Sequence, residues 1–536
     1  MLKRMLAVFL CLFCICSFSA CTPEDEINEI SPAEVKKYEN HNEIPTDGGT
    51  LKLCLFETDT LNPLITQNAE NIRTLMPIYD SLFTINQDFS YAPDLCDGFS
   101  VSDDGLNYSF KIKSGLTFHD GSPLSAKDAE FSLGLIFEAQ SPIALKLSDI
   151  AAFSSNGQTL FISLKRPVAN FPALLDFPII SAQSAASTTA AIEKKAEYLP
   201  NGTGMYKMQS YKKNKELHLI RNDAYHQNFK SYINDILVYL VNDRTTAIKM
   251  LENLRVDLIS SNVANPDEYT PKRTVSSVDY ATNLFTFLAF NHDSPALKQS
   301  QTRRAISTAI DRSALIRDLP DNRVVVCDIP IHPKSWLYRI EREMTAFDAE
   351  LAKSLLADDG WNDSDNDGRL DRIISEQTEI LELSILVNQE NPQRVKLANQ
   401  VKSYLEKLGI WVYVVQVPFA EYTRCLNEKL YDMAICEVDI SVNSDLKFLL
   451  QSGYNIFNVA NELLDNLMLE ADKLDDTAQI QEMYWEMCTL LQQDMPICGL
   501  YFKNASIIFD ESVKGNILPT ESNIFDNINE WFISLK

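Results

Sequence analysis

Residues 394–436 read RVKLANQVKSYLEKLGIWVYVVQVPFAEYTRCLNEKLYDMAIC, and this stretch decides the fold class. Val401, Leu405 and Leu408 recur at the spacing of one helix face, and Gly409 supplies the left-handed residue that ends a helix. Ile410 to Val417 then runs out as a strand, a second helix is expected over Tyr422 to Leu430, and Asp432 to Cys436 forms the next strand. Alternation of this kind implies a sheet covered by helices, so the chain is predicted to be mixed α/β.

Toward the N-terminus the same reading continues. Thr50 to Leu55 and Asn107 to Ile112 alternate as strands, and Lys127 to Phe137 reads as a helix. The chain changes style near residue 200, where Asn201-Gly202-Thr203-Gly204 forms a turn before the alternating Met205-Tyr206-Lys207-Met208. Strands are expected at Leu217 to Arg221 and Ile233 to Val241, then a helix from Thr245 to Leu254 leading into Val256 to Ile259. No internal repeat and no low-complexity tract interrupts this order.

The first residues carry a different message. Lys3 and Arg4 precede an uncharged apolar run from Met5 to Phe18, shorter than the roughly 20 residues that span a bilayer, which is the pattern of a signal peptide. The run ends in Phe18-Ser19-Ala20-Cys21, which resembles the lipobox of bacterial lipoproteins and makes Cys21 the expected lipidated N-terminus. Residues 22–47 are rich in Glu, Asn, Ser and Pro and are expected to tether lipid to globule, with folding starting near Gly48-Gly49.

The net charge of −26 argues against a nucleic-acid partner, because binding phosphates needs a basic stripe and the Lys and Arg residues here are dispersed among more numerous acids. Outside the signal and the anchor, seven cysteines remain: Cys54, Cys96, Cys327, Cys425, Cys436, Cys488 and Cys498. They are odd in number and lack CxxC pairs, so they are expected to be small buried hydrophobes and not a disulfide framework. There is no Gly-x-Ser-x-Gly, no His-Glu-x-x-His and no Walker loop, so the chain is not expected to be an enzyme; a hydrolase ranks last among the alternatives. No cofactor is expected.

The sharpest local motif is Asp363-Ser364-Asp365-Asn366-Asp367-Gly368-Arg369-Leu370-Asp371. Its acids stand where a calcium loop begins, at Asp363, Asp365, Asp367 and Asp371, but Ile374 occupies the twelfth position, where a bidentate Glu is needed. An Asx- and Gly-rich surface turn is the favoured reading. His119, between Phe118 and Asp120, is expected to pack within a turn, since one His without partners makes no metal site.

In order along the chain, Gly48-Gly49-Thr50-Leu51, Leu61-Asn62-Pro63, Tyr79-Asp80-Ser81-Leu82, Asp103 to Phe110, Phe118 to Asp128, and Gly202-Thr203-Gly204-Met205-Tyr206 are followed by Leu288-Ala289-Phe290-Asn291, Arg303-Arg304-Ala305-Ile306, Ala309 to Arg312, Ala352 to Trp361 and Tyr431-Asp432-Met433. Together they resemble the family 5 extracellular solute-binding proteins of ABC importers, the oligopeptide- and dipeptide-binding group. Met205 stands where that family commonly has Pro, and Leu254 where a helix-ending Gly is usual. In the segment Glu437 to Leu450 related proteins usually carry an aromatic residue and an Asp-Pro or similar pair that helps hold a peptide's amino end; here it begins Glu437-Val438-Asp439-Ile440-Ser441-Val442-Asn443-Ser444-Asp445-Leu446.

The resemblance implies a two-lobed periplasmic-binding-protein-like fold (type II, cluster C-like) with an extra inserted domain. Residues 1–20 would be signal peptide and 21–47 the lipidated tether. Lobe I would comprise 48–86, 200–283 and 502–536, the inserted domain 87–199, and lobe II 284–501, with crossings near 284–290 and 500–504. It further implies a monomer that captures a peptide by hinge closure and delivers it to ABC permease and ATPase subunits. The protein would be held on the cell membrane by its N-terminal lipid, facing the exterior or periplasm. The ligand-binding residues expected on this basis are Asp439, Asp445, Glu437, Asn62 and Asn291, with Asp439 or Asp445 meeting the ligand ammonium. Alternatives within the same architecture are a nickel chelate or oligosaccharide as solute, or a peptide-sensing surface receptor.

Overall fold

Two long strands, Val275–Phe290 and Ile497–Phe509, run antiparallel through the molecule and carry both lobes. Their apolar residues are almost continuous, which suits strands covered on both faces. Side chains that alternate along the first strand feed different cores. Phe285, Phe287 and Ala289 pack with Phe502, Leu464 and Tyr484, whereas Leu288 and Phe290 pack with Ile306, Leu397 and Val401. The ladder between the two strands breaks register between Ala281 and Phe285 and again between Thr286 and Phe287. The computed structural model describes residues 33–534 apart from 42, 59, 267–268, 318–322, 375 and 454, so the signal peptide and Cys21 lie outside the described residues.

On the lobe II side the sheet continues through Met433–Asp439, Glu382–Asn388 and Trp411–Val417. The last two are parallel neighbours joined by the helix Pro392–Glu406. Asn391 opens that helix by accepting from the Arg394 amide at 3.1 Å, and Gly409, at φ +90°, closes the turn after it. Leu397, Ala398, Val401 and Leu405 form its buried face; burying a Leu or Val fully contributes about 1.5–3 kcal/mol. The next helix spans Phe419–Asn427, earlier than the expected Tyr422 to Leu430, because Lys429 turns left-handed at φ +60° and ends it. The strand Met433–Asp439 outruns the expected Cys436 because it pairs with Leu284–Phe290.

Lobe I is built on a four-stranded sheet in the order Thr50–Phe56, Asp235–Val241, Glu216–Arg221, Tyr206–Lys212. The segment expected as a pure tether needs correction. Val35–Lys37 pairs in parallel with Val275–Ser277, and the Tyr38 hydroxyl donates to the Gly515 carbonyl at 2.9 Å while its ring meets Phe509. A strand's hydrogen bonds anchor this stretch to the lobe, so residues 35–38 belong to the folded body.

Residues 96–164 form an antiparallel sheet of four strands with the helix Ala126–Glu138 against it. Its Tyr108, Phe110 and Leu133 share one core with Leu51, Tyr206 and Trp531 of lobe I, so the two pack as one body. The turn at Gly202-Thr203-Gly204 locks the junction. A Cβ on Gly202 would sit 2.0 Å from the Ile78 carbonyl oxygen, and one on Gly204 2.5 Å from the Ile78 carbonyl carbon. The His119 amide donates to the Gly202 carbonyl, and its Nε2 lies 2.9 Å from the Gly204 carbonyl. His119 is thus part of a packed turn, and burial holds its pKa below the ordinary value. The seven expected core cysteines are all buried and unbridged. Among the described residues no helix is long and apolar enough to cross a membrane.

Candidate functional site

A cleft lies beside the register break, where Tyr280, Thr282 and Leu284 line a cavity. Two neighbouring cavities of about 350 and 640 Å³ open there, and both are lined by Arg73, Asp439 and Glu521. Each of these side chains is delivered by a different part of the chain. Arg73 sits on the helix Ala69–Leu75, Asp439 ends the strand Met433–Asp439, and Glu521 lies on a C-terminal turn in which Thr520 and Asn523 bond each other.

The cations of the cleft are already committed. Arg73 pairs with Glu70 at 2.6 Å, Lys146 with Asp176, and Lys503 with Glu437 at 2.6 Å. Arg323 pairs with Asp279. Asp439, by contrast, has no ion pair or side-chain hydrogen bond among the described residues. Glu521 accepts only the Asn283 amide, at 2.8 Å, on the strand that crosses between lobes. Burial raises the pKa of Asp439, opposed by Lys146. Burial and the charge of Asp439 push Glu521 up to about 7. Two buried carboxylates thus line one cavity without an ion pair among the described residues, an arrangement that favours a cationic group.

The other expected ligand residues have different roles. Glu437 is clamped between Arg394 at 2.7 Å and Lys503; burial pushes its carboxyl up, yet these two cations outweigh burial and hold it below the usual range. Asp445 accepts from the Lys447 amide and lies 3.3 Å from the Lys447 ammonium and 3.6 Å from Arg166 of the 87–199 segment, so it docks lobe II against that segment. Asn62 is 1% exposed and accepts from the Leu64 amide at 2.9 Å, within its own turn. Asn291 is buried, donating to the carbonyls of Lys429 and Tyr431. Backbone groups thus engage the Asn62 oxygen and the Asn291 amide nitrogen.

The acidic loop has likewise turned inward. Asp363 accepts from the amides of Asp367 and Gly368, Asp365 from Asp367, Asp367 from Arg369, and Asp371 from the amide and hydroxyl of Ser364. Arg369 and Arg372 cover the rings of Trp411 and Trp361, each at 3.9 Å. The loop is a braced Asx-rich turn, although oxygens of Asp363, Asp365 and Asp371 do lie within 4.8 Å of one another.

Residues 90–456 match the family described as bacterial extracellular solute-binding proteins, family 5 middle. The chain belongs to this family. Over its length it is similar to the oligopeptide-binding protein AppA of Bacillus subtilis (strain 168), with 24% identity over 99% of this chain and 97% of the relative. Among solved structures it resembles MppA, a periplasmic murein tripeptide binding protein in an unliganded open form, with a TM-score of 0.75, 18% identity, and coverage of 91% of this chain and 98% of that one. It also resembles NikZ from Campylobacter jejuni in complex with Ni(L-His), with a TM-score of 0.60, 20% identity, and coverage of 91% and 100%.

A family 5 solute-binding protein binds its substrate and does not transform it, and it works outside the cytoplasm with an ABC transporter. The periplasmic-binding-protein-like fold agrees with the mixed α/β reading. Sequence reasoning overlooked Glu521 and Arg73. No motif marks either one; Glu521 lies in a turn after the last recognisable block, and only the return of the C-terminus to lobe I brings it opposite Asp439.

Proposed function

We propose that this chain captures peptides between its two lobes and passes them to the permease and ATPase subunits of an ABC importer, held at the membrane by lipid on Cys21. The observation that carries the reading is the Asp439 and Glu521 pair, two carboxylates that line one cavity and make no ion pair among the described residues. A peptide's ammonium fits such a pair, and its main chain can be satisfied by protein backbone while loose pockets take its side chains. An oligosaccharide offers no cation to match. Closure about the crossing strands would strip water from the charge pair, so its geometry must be good to offset desolvation. Glu521 accepts an amide of the crossing strand itself, which ties occupancy of the site to the hinge.

Mass spectrometry of ligand released from purified protein tests the substrate class. Recovery of peptides with free amino ends is expected; recovery of only a metal chelate or a sugar would overturn it. Calorimetry with free and N-acetylated peptide tests the contact, acetylation being expected to abolish tight binding. Cys21→Ala with the native signal tests the anchor, and unchanged membrane retention and processing would remove it.

A further inference from the structure

A second concentration of charge lies where lobe I meets the 87–199 segment. Asp80 follows the turn Met76–Ile78, Asp94 follows the strand Tyr91–Pro93, and His226 belongs to the loop after Glu216–Arg221. Three separate segments thus deliver one donor atom each into a sphere where all three lie within 4.8 Å of one another. His226 Nε2 is 3.2 Å from Asp80 Oδ2 and 3.8 Å from Asp94 Oδ1. The side chains of Asp80, Asp94 and His226 are only 9%, 4% and 14% exposed.

Neutral donors orient the carboxylates. Tyr225 donates its hydroxyl to Asp80 Oδ1 at 3.1 Å, Thr203 donates to Asp80 Oδ2 at 2.8 Å, and Gln227 donates to Asp94 Oδ1 at 2.7 Å. Among the described residues no Lys or Arg nitrogen comes within ion-pair distance of either aspartate. Two nearly dry carboxylates side by side are costly unless a cation joins them. A cavity of about 300 Å³ adjoins the cluster and is lined by Asp80, Asp94, Asp176 and Asp526, which gives an ion a route and leaves room for water.

We propose that Asp80, Asp94 and His226 bind a divalent transition-metal ion of the zinc class, completed by water from the adjoining cavity. Ligand atoms around such an ion stand about 3–3.5 Å apart when each bond is near 2.0–2.2 Å. The separations of 3.2 and 3.8 Å need only a small side-chain turn to meet that. The mixed imidazole and carboxylate set suits zinc better than calcium or magnesium, which favour oxygen alone. The braced acidic loop at 363–371 differs on each count: it is all oxygen, its aspartates Asp363, Asp365 and Asp367 are exposed, and its carboxylates accept the loop's own amides. A bound ion would pin the 87–199 segment, through Asp94, to the two lobe I segments that carry Asp80 and His226, so its effect is on stability.

The test uses untagged, chelator-treated full chain titrated with zinc chloride in a calorimeter, with cobalt chloride as a spectroscopic probe. Expected are one equivalent of tight uptake, a melting temperature that rises with zinc concentration, and a visible cobalt spectrum showing nitrogen ligation. His226→Gln and Asp94→Asn should each weaken uptake roughly tenfold or more, and Gln227→Ala, which only orients Asp94, by roughly tenfold. Should a ligand variant fail to fold, the cobalt spectrum of the unaltered chain decides between nitrogen and all-oxygen ligation. No stoichiometric uptake, an all-oxygen spectrum, uptake unaffected by both ligand variants, or uptake abolished instead by Asp363→Asn with Asp365→Asn would overturn the assignment.

Discussion

Asp439 and Asp445 belong to one short segment and carry the same carboxylate, yet they sit in opposite electrostatic worlds. Asp439 ends a strand at the cleft and makes no ion pair among the described residues. Asp445 faces Lys447, Arg166 and, through Lys447, Asp472, in a buried network that holds lobe II to the 87–199 segment. The same contact surface has Asn170 and Asn443 each donating to the other segment's backbone, and the Ala169 amide donating to Asp472. A charge without a partner is available to a ligand, and a charge with several is structural. Partner count, not residue type, separates the two.

The largest test breaks the network. Lys447 and Asp472 are each 3% exposed at the side chain, so Lys447→Ala leaves a buried carboxylate uncompensated and should cost about 3–5 kcal/mol in chemical denaturation. A cost near zero would show that water already reaches this contact and that the two regions differ less than the structure indicates.

The next test sets the two aspartates against each other. Asp439→Asn should weaken binding of a peptide with a free amino end by about 2–5 kcal/mol in calorimetry, part of it the penalty of an unpaired ligand charge. Asp445→Asn should leave affinity unchanged and lower folding stability by about 1 kcal/mol. Reversed results would exchange their roles.

A pH series sharpens the cleft side of the comparison. Glu521 holds its proton up to about 7, against an ordinary 4.5, so the folded chain binds more protons than the unfolded one between those values. Stability contributed by this group therefore falls as pH rises from about 4.5 to about 7 and is level above. Ligand ammonium binding should move the other way, strengthening as Glu521 ionises. Glu521→Gln should remove both slopes when compared with the unaltered chain by thermal melts and calorimetry across that window.

The smallest effect lies far from either region. Leu254 ends the helix Arg244–Glu252 in the left-handed conformation at φ +58° with its side chain 52% exposed, where a side chain adds strain and buries little. Leu254→Gly should stabilise by about 1 kcal/mol in thermal denaturation without changing ligand affinity.

Much of the scaffold was legible because it rests on local rules. The helix Pro392–Glu406 and the strand Asn107–Ile112 follow from period and caps, and the Gly202-Thr203-Gly204 turn from a backbone approach no side chain tolerates. The helix Phe419–Asn427 shifted by a few residues because Lys429, a residue with no special turn preference, adopts φ +60°. The strand at Val35–Lys37 was missed because its apolar content is slight and its stability comes from a neighbour some 240 positions along the chain.

By itself, then, the sequence determined the mixed α/β class, the order of the blocks and the family, since periodicity, glycine placement and co-linear motifs are properties of nearby residues. Tertiary structure decided which acids are free. Glu521 reaches Asp439 only because the C-terminal segment folds back across the strand crossing, and Asp445 is withdrawn only because Arg166 and Lys447 meet it there. Electrostatic pairing depends on distance through space, and residues that the chain holds far apart in sequence supply or withhold the partner.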